Sequence, residues 1–290
     1  MFLCNPLIPS RGIVLLHGPS ESGKTQLVMT LMKAIAEGTP FLSQFPCSQG
    51  RVLLVEVDTP DMIMQERLQR WPVEPEARSR ISLLIDTNGD ISVTGLAAMQ
   101  TKPDALVAAQ ATHPDLVIFD ALRNIHQLDE NESRTTAIVY GACQRLFPGS
   151  ALLFIHHDRK KDTTGLRHRD EEASGTGAWR NAANVGLHLE RYYDHKDPFV
   201  HYATLGFSKL RVETRPQAIR LRMDDETLLV HPTDPTPYQL ALGWAQGQRV
   251  NERDVVDWLL NDKRCSRATA YRIAKRVVSA SQHDETVSRP

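Results

Sequence analysis

The chain is predicted to be an α/β protein with a central, mostly parallel, doubly wound sheet and a small helical unit at its C-terminal end. Three observations predict this. Short apolar runs of strand length alternate with segments of helical period. The octapeptide Gly18-Pro19-Ser20-Glu21-Ser22-Gly23-Lys24-Thr25 fits the phosphate-loop pattern GxxxxGK[ST], between one such run and one such helix. After the proline-rich stretch HPTDPTP from His231, the pattern changes to a small helical unit whose second helix is basic. The expected organisation is a core over residues 1–232, a linker over 233–250 and a helix-turn-helix-like unit over 251–290.

The strands are read from runs apolar enough to be buried on both faces: Gly12 to His17, Arg51 to Val57, Leu116 to Phe119 and Ala151 to Ile155. Between them, Leu27, Leu31, Ala34 and Ile35 recur on one face of a helix from Lys24 to Glu37, and Pro60 opens a second helix from Asp61 to Arg70. Strand and helix in alternation imply right-handed crossovers. From Val185 the runs Val185 to Arg191, Ala203 to Leu210 and Ile219 to Met223 are expected to extend one edge as an antiparallel section.

Composition limits the function classes. With 290 residues, 41% hydrophobic, 24% charged and a net charge of −1, the chain is a folded protein without a global attraction for nucleic acid, so any such partner must be held by local basic patches. Cys4, Cys47, Cys143 and Cys265 form no CxxC pair and are read as reduced, which fits a cytoplasmic protein. No apolar run reaches the length of a membrane span, and MFLCNPLIPSR lacks the features of a signal peptide.

The chemistry is concentrated at strand ends. In the phosphate loop, Gly18 and Gly23 let the backbone wrap a phosphate, Lys24 reaches the β- and γ-phosphates, Thr25 ligates Mg²⁺, and the nucleotide-binding segment runs from Gly18 through Gln26. Asp120 ends the run Leu116-Val-Ile-Phe, where a carboxylate holds the Mg²⁺ shell. Glu56 and Asp58, two apart and so on one face, are both candidates to orient the attacking water, and Asp58 also reads as a helix cap in Asp58-Thr59-Pro60-Asp61. His156 and His157 follow another strand, and His157 is placed to sense the γ-phosphate.

In the order of these motifs, the chain resembles hexameric RecA-like ATPases of the RepA type, replicative helicases of some plasmids and phages. The resemblance is carried by GPSESGKT, VEVDTP, FDALRNIHQLDENES, FIHH and ASGTGAWRNAANV, and covers roughly Gly12 to Arg211. It implies a RecA-like P-loop core, ATP and Mg²⁺ as ligands, a homo-oligomeric ring with a hexamer favoured, and single-stranded DNA as partner. It puts the acidic catalytic residue at Asp58 by register, while the family's use of glutamate points to Glu56. Ser208-Lys209-Leu210-Arg211 resembles the KxR element that the DnaB and KaiC groups insert into a neighbouring subunit's site. That implies a catalytic role in trans for Lys209 and Arg211; a basic edge strand is the other reading.

Two regions are candidates for DNA contact. Arg159, Lys160, Lys161, Arg167 and Arg169 lie in the polar run from Asp158 to Ser174. Helices are expected from Glu252 to Leu260 and from Ser266 to Val278, joined by a turn through Asn261 to Arg264, with Tyr271, Ala274 and Val278 on an inner face of the second; Lys263, Arg264, Arg267, Arg272, Lys275 and Arg276 give the turn and second helix six cations. The expected activity is therefore a DNA-dependent, helicase-like ATP hydrolase. A RecA-like recombination mediator or loader, a small-molecule kinase and a nucleotide-binding DNA regulator are the alternatives.

Overall fold

A computed structural model describes residues 1–86, 91–93, 108–130, 132–158, 177–192, 200–211, 216–233, 241, 244–245, 250–261 and 266–287. The chain forms two compact units, Met1–Pro232 and Thr233–Pro290.

The first unit opens with a hairpin of β1 (Phe2–Cys4) and β2 (Ile8–Pro9). A nine-stranded sheet follows, built from β3 (Ile13–Gly18), β4 (Val52–Glu56), β5 (Ile81–Ile85), β6 (Leu116–Asp120), β7 (Ala151–His157), β8 (Val185–Tyr192), β9 (Tyr202–Lys209), β10 (Ile219–Met223) and β11 (Val230–Pro232). The spatial order is β11-β10-β9-β8-β3-β7-β6-β4-β5. From β8 to β5 neighbours are parallel; β9, β10 and β11 pair antiparallel. The expectation that the antiparallel section begins with Val185 is corrected: β8 lies parallel to β3, with His17 opposite His188, and the direction reverses only at β9. The short helix before β8 returns the chain to the N-terminal edge of the sheet, which is what a parallel crossover requires.

Side-chain alternation divides the interior in two. Val14, Leu16, Val52, Leu54, Leu116, Ile118, Leu153 and Ile155 face one core, completed by α1 (Lys24–Glu37), α2 (Asp61–Arg70) and α3 (Pro75–Arg78). Leu15, Leu53, Val55, Val117, Phe119, Leu152 and Phe154 face the other, covered by a 3₁₀ turn (Leu122–Ile125), α4 (Ser133–Leu146) and α5 (Ala178–Ala182). Burial on both faces is why β3, β4, β6 and β7 read as unbroken apolar runs. β9 and β10 bury one face only, and their sequences alternate accordingly, as in Ile219-Arg220-Leu221-Arg222-Met223.

The second unit contains α6 (Glu252–Asn261) and α7 (Arg267–Val287). Asn251 and Asp254 cap α6 reciprocally, each backbone N–H donating to the other's side chain at 3.0 and 3.1 Å. Two expectations change here. Ala241 and Ala245 are buried with Val255, Val256, Leu259, Ala270, Ile273, Ala274 and Val277, and Trp244 stacks on Trp258 at 5.2 Å, so part of the expected linker belongs to this core. α7 extends to Val287 because no glycine or proline interrupts the segment, and Tyr271 points outward at 55% exposure while Ala270 and Ile273 take the inner face.

Candidate functional site

The parallel strands end along one edge of the sheet, and β7 is inserted between β3 and β6. Its tip, His157, therefore stands between the phosphate loop and the carboxylates of β4 and β6. Around these tips opens a cleft of 560 Å³ lined by residues including Lys24, Thr25, Asp58, Arg67, Asp120 and His157.

Two glycines make the loop possible. A Cβ on Gly18 would come within 2.1 Å of the Leu189 carbonyl oxygen, and one on Gly23, at φ 89°, within 2.4 Å of the Met223 methyl. Glu21 also takes a positive φ, 62°, a backbone conformation of the kind that forms anion-binding nests. No side chain caps the N-terminus of α1, and no acid occupies its first turn, so the positive end of the helix faces the loop uncompensated. The Lys24 ammonium lies inside the loop, donating to the carbonyls of Gly18 at 3.0 Å and Pro19 at 2.7 Å and to Ser22 Oγ at 3.4 Å. Burial lowers its pKa to about 8, against the pull of Asp120, Asp158 and Asp58. Pro19, Ser20 and Gln26 complete the segment; Ser20 Oγ lies 3.5 Å from His157 Nδ1, and Gln26 lines the cleft.

Thr25 donates its hydroxyl proton to Asp120 Oδ2 at 2.8 Å. A hydroxyl and a carboxylate in contact beside the phosphate loop are a donor set that fits Mg²⁺. Asp120 is buried, which pushes its pKa up to about 6.

The two acids that sequence left as alternatives occupy different surroundings. Glu56, opposite Asp120 in the β4–β6 register, is fully buried. Its Oε1 accepts from the backbone N–H groups of Asp58 at 3.0 Å and Thr59 at 2.8 Å, while its buried Oε2 has no hydrogen-bond partner among the described residues. Burial, and then the charge of Asp120, push its pKa up to about 7. Asp58 is half-exposed and lines the cleft, with Oδ2 3.7 Å from His157 Nε2 and Oδ1 accepting from Asn124 Nδ2 at 3.1 Å. Burial and the nearby Lys24 lower the pKa of His157, so its imidazole is neutral near pH 7.

Other expected residues lie elsewhere. Lys209 is opposite Gly186, which is opposite Leu15, so it and Arg211 lie toward the start of β3, about 10 Å or more along the strands from the loop. The Lys209 ammonium donates to the carbonyls of Arg180, Asn181 and Ala183 at the end of α5. Arg159, Lys160, Lys161, Arg167 and Arg169 lie outside the described residues. Arg267 and Arg272 are exposed on α7 in the second unit.

Sequence reasoning missed Arg67, Arg70 and Asn124. The first two had a signal: Ile63, Arg67 and Arg70 follow helical spacing and all line the cleft. Arg67 also donates to Thr59 Oγ1 at 3.3 Å.

The sequence pattern of the family described as AAA domain matches residues 2–163, more than half of the chain. The chain belongs to the AAA domain family. Solved structures agree on the fold. This AAA domain protein is similar to the KaiC-like protein PH0186 from the hyperthermophilic archaeon Pyrococcus horikoshii OT3, at TM-score 0.51 and 14% identity, over 80% of this chain and 93% of that one. It is similar also to the flagellar accessory protein FlaH from Methanocaldococcus jannaschii, at TM-score 0.51 and 11% identity, over 79% and 92% of the two chains. No curated protein matches the sequence. The fold is thus RecA-like, and the chain is a member of a P-loop ATPase family; among its described residues no helix is long and apolar enough to cross a membrane.

Proposed function

We propose that this chain hydrolyses ATP to ADP and phosphate as a subunit of a DNA-stimulated ring, in the manner of a replicative helicase. The observation that carries the hydrolytic reading is the meeting, in one cleft, of Lys24, the Thr25–Asp120 pair and the Asp58–His157 pair, with Asn124 bonded to Asp58. On phosphate entry, Lys24 exchanges its bonds to the Gly18 and Pro19 carbonyls for bonds to the β- and γ-phosphate oxygens. Thr25 and Asp120 would hold Mg²⁺, which neutralises charge between those phosphates. Asp58 orients a water for in-line attack on the γ-phosphorus. The new P–O bond forms as the bond to the ADP oxygen breaks, and the water's proton passes to Asp58. Glu56 serves this step indirectly, since its carboxylate holds the backbone of Asp58 and Thr59. His157, between Ser20 and Asp58, links the loop to the water-orienting acid.

The distance of Arg211 from its own subunit's loop supports a role in a neighbour's site, and hence a ring, whereas the Lys209 ammonium is engaged by the carbonyls at the end of α5. Exposed Arg267, Tyr271, Arg272 and Lys275 on α7 support contact with nucleic acid, combining cations with an aromatic surface. The test is ATP turnover with and without single-stranded DNA, run beside a mass measurement of the assembly. Stimulation by DNA in an oligomer is the expected result. Turnover indifferent to DNA would replace the helicase reading with that of an ATPase that loads or remodels other proteins.

A further inference from the structure

Behind the phosphate loop, three side chains far apart in sequence meet on neighbouring strands: His17 on β3, Asp158 just past β7 and His188 in the middle of β8. His17 Nδ1 is 3.0 Å from Asp158 Oδ1, and His188 Nε2 is 3.4 Å from Asp158 Oδ2. The two rings lie 4.8 Å apart, and one donor atom from each of the three residues falls within 4.8 Å of the others. None of them is used in the hydrolytic scheme above.

We propose that His17, Asp158 and His188 bind one divalent transition-metal ion, Zn²⁺ by the chemistry of the donors. Two imidazoles and a carboxylate are a donor set for Zn²⁺ and its first-row neighbours, whereas Mg²⁺ and Ca²⁺ take oxygen ligands. Donors at about 2.1 Å from a tetrahedral ion stand about 3.4 Å apart. The two contacts to Asp158 are already near that spacing, so small side-chain movements complete the site. His17 and Asp158 are buried, but the side chain of His188 is 23% exposed. The arrangement is therefore three protein donors with one position open toward solvent.

The surroundings hold the donors in place. Ser208 Oγ lies 3.1 Å from His17 Nε2 and can accept a hydrogen bond from an Nε2–H, the tautomer that leaves the Nδ1 lone pair directed at the ion. Room for that hydroxyl depends on Gly186, where a Cβ would meet Ser208 Oγ at 2.6 Å. The Asp158 N–H donates to the Gly18 carbonyl at 3.0 Å, so the site is tied to the first residue of the phosphate loop while using none of its ligands.

The test is titration of the metal-stripped 290-residue chain with Zn²⁺ in the presence of MgADP, repeated with Co²⁺ to read visible ligand-field bands. Wild type is expected to take up one equivalent, show the bands of a four- or five-coordinate ion, and gain roughly 5 °C in melting temperature at saturating Zn²⁺. His188→Gln, altering the most exposed donor, should lower affinity about 100-fold and remove the Co²⁺ bands. Thr25→Val should retain both. Asp158→Asn should behave as His188→Gln does; if it fails to fold, His188→Gln decides. Equal Zn²⁺ binding by wild type and His188→Gln would overturn the proposal and leave a hydrogen-bonded triad only. Loss of binding in Thr25→Val with retention in His188→Gln would also overturn it, by moving the ion to the phosphate site.

Discussion

At the residue scale, Lys24 is the only lysine or arginine in the loop itself and its ammonium is already inside it. Lys24→Ala is expected to reduce turnover by more than about 100-fold, read as phosphate release at saturating ATP. Glu56 gives a prediction of a different kind. The fold raises its pKa from the usual 4.5 to about 7, so the native state binds this proton more tightly than the unfolded chain. Its contribution is full below about pH 4.5 and is lost as pH rises toward 7. In Glu56→Gln the amide oxygen still accepts from Asp58 and Thr59, but no charge develops beside Asp120. The variant should match wild type at pH 4 and exceed it by about 2 kcal/mol at pH 8, measured by denaturant melts in Mg²⁺-free buffer. Equal stability at both pH values would show that Glu56 is not held in a charge-averse position. The motif could mark Lys24 and Thr25 because their spacing is set by one local turn. It could not separate Glu56 from Asp58, because burial and the Asn124 contact depend on strands and turns distant in sequence.

At the scale of elements, Lys209 is engaged within its own subunit. Its ammonium meets three carbonyls where α5 ends, a position at which the helix dipole favours a cation. Lys209→Ala should therefore cost about 1 kcal/mol of stability, while Arg211→Ala leaves the melting temperature unchanged; both are read by thermal melts before any activity is compared. The cap was invisible in sequence because the lysine is 26 to 29 residues from its partners. Strands buried on both faces were legible as apolar runs, as was the alternation of β10. The direction of β8 was not, since a strand's own residues specify its faces and not its neighbour. β5 and α4 escaped notice for related reasons: Ile81–Ile85 is half-buried throughout, and α4 carries threonines at buried positions where a leucine stripe would have signalled a helix.

At the scale of the molecule, two predictions concern assembly and partner. If Arg211 acts on the neighbour's nucleotide, then Lys24→Ala and Arg211→Ala subunits, each inactive alone, should recover up to about a quarter of wild-type hydrolysis when mixed equally. Random arrangement in a head-to-tail ring places an intact loop against an intact arginine at that fraction of interfaces. Mixed assemblies of the correct mass with no recovery would count against a shared site. For the second unit, Arg267→Ala and Arg272→Ala should weaken DNA binding without regard to sequence, and each should reduce the slope of log affinity against log salt by about 1, in titrations over several salt concentrations.

The pairing of β3 with β7 also governs when the site comes into being. Gly18 lies opposite His157, and its carbonyl accepts from the Asp158 N–H, so the two sides of the cleft are joined by a contact spanning 140 residues. As the chain leaves the ribosome, GPSESGKT emerges well before the strand that seats it against Asp58. A nascent chain halted before β7 would carry the whole phosphate motif and have no cleft to use it in. Nucleotide bound in this cleft would then stabilise only the completed core, and so would favour finished molecules over partial ones.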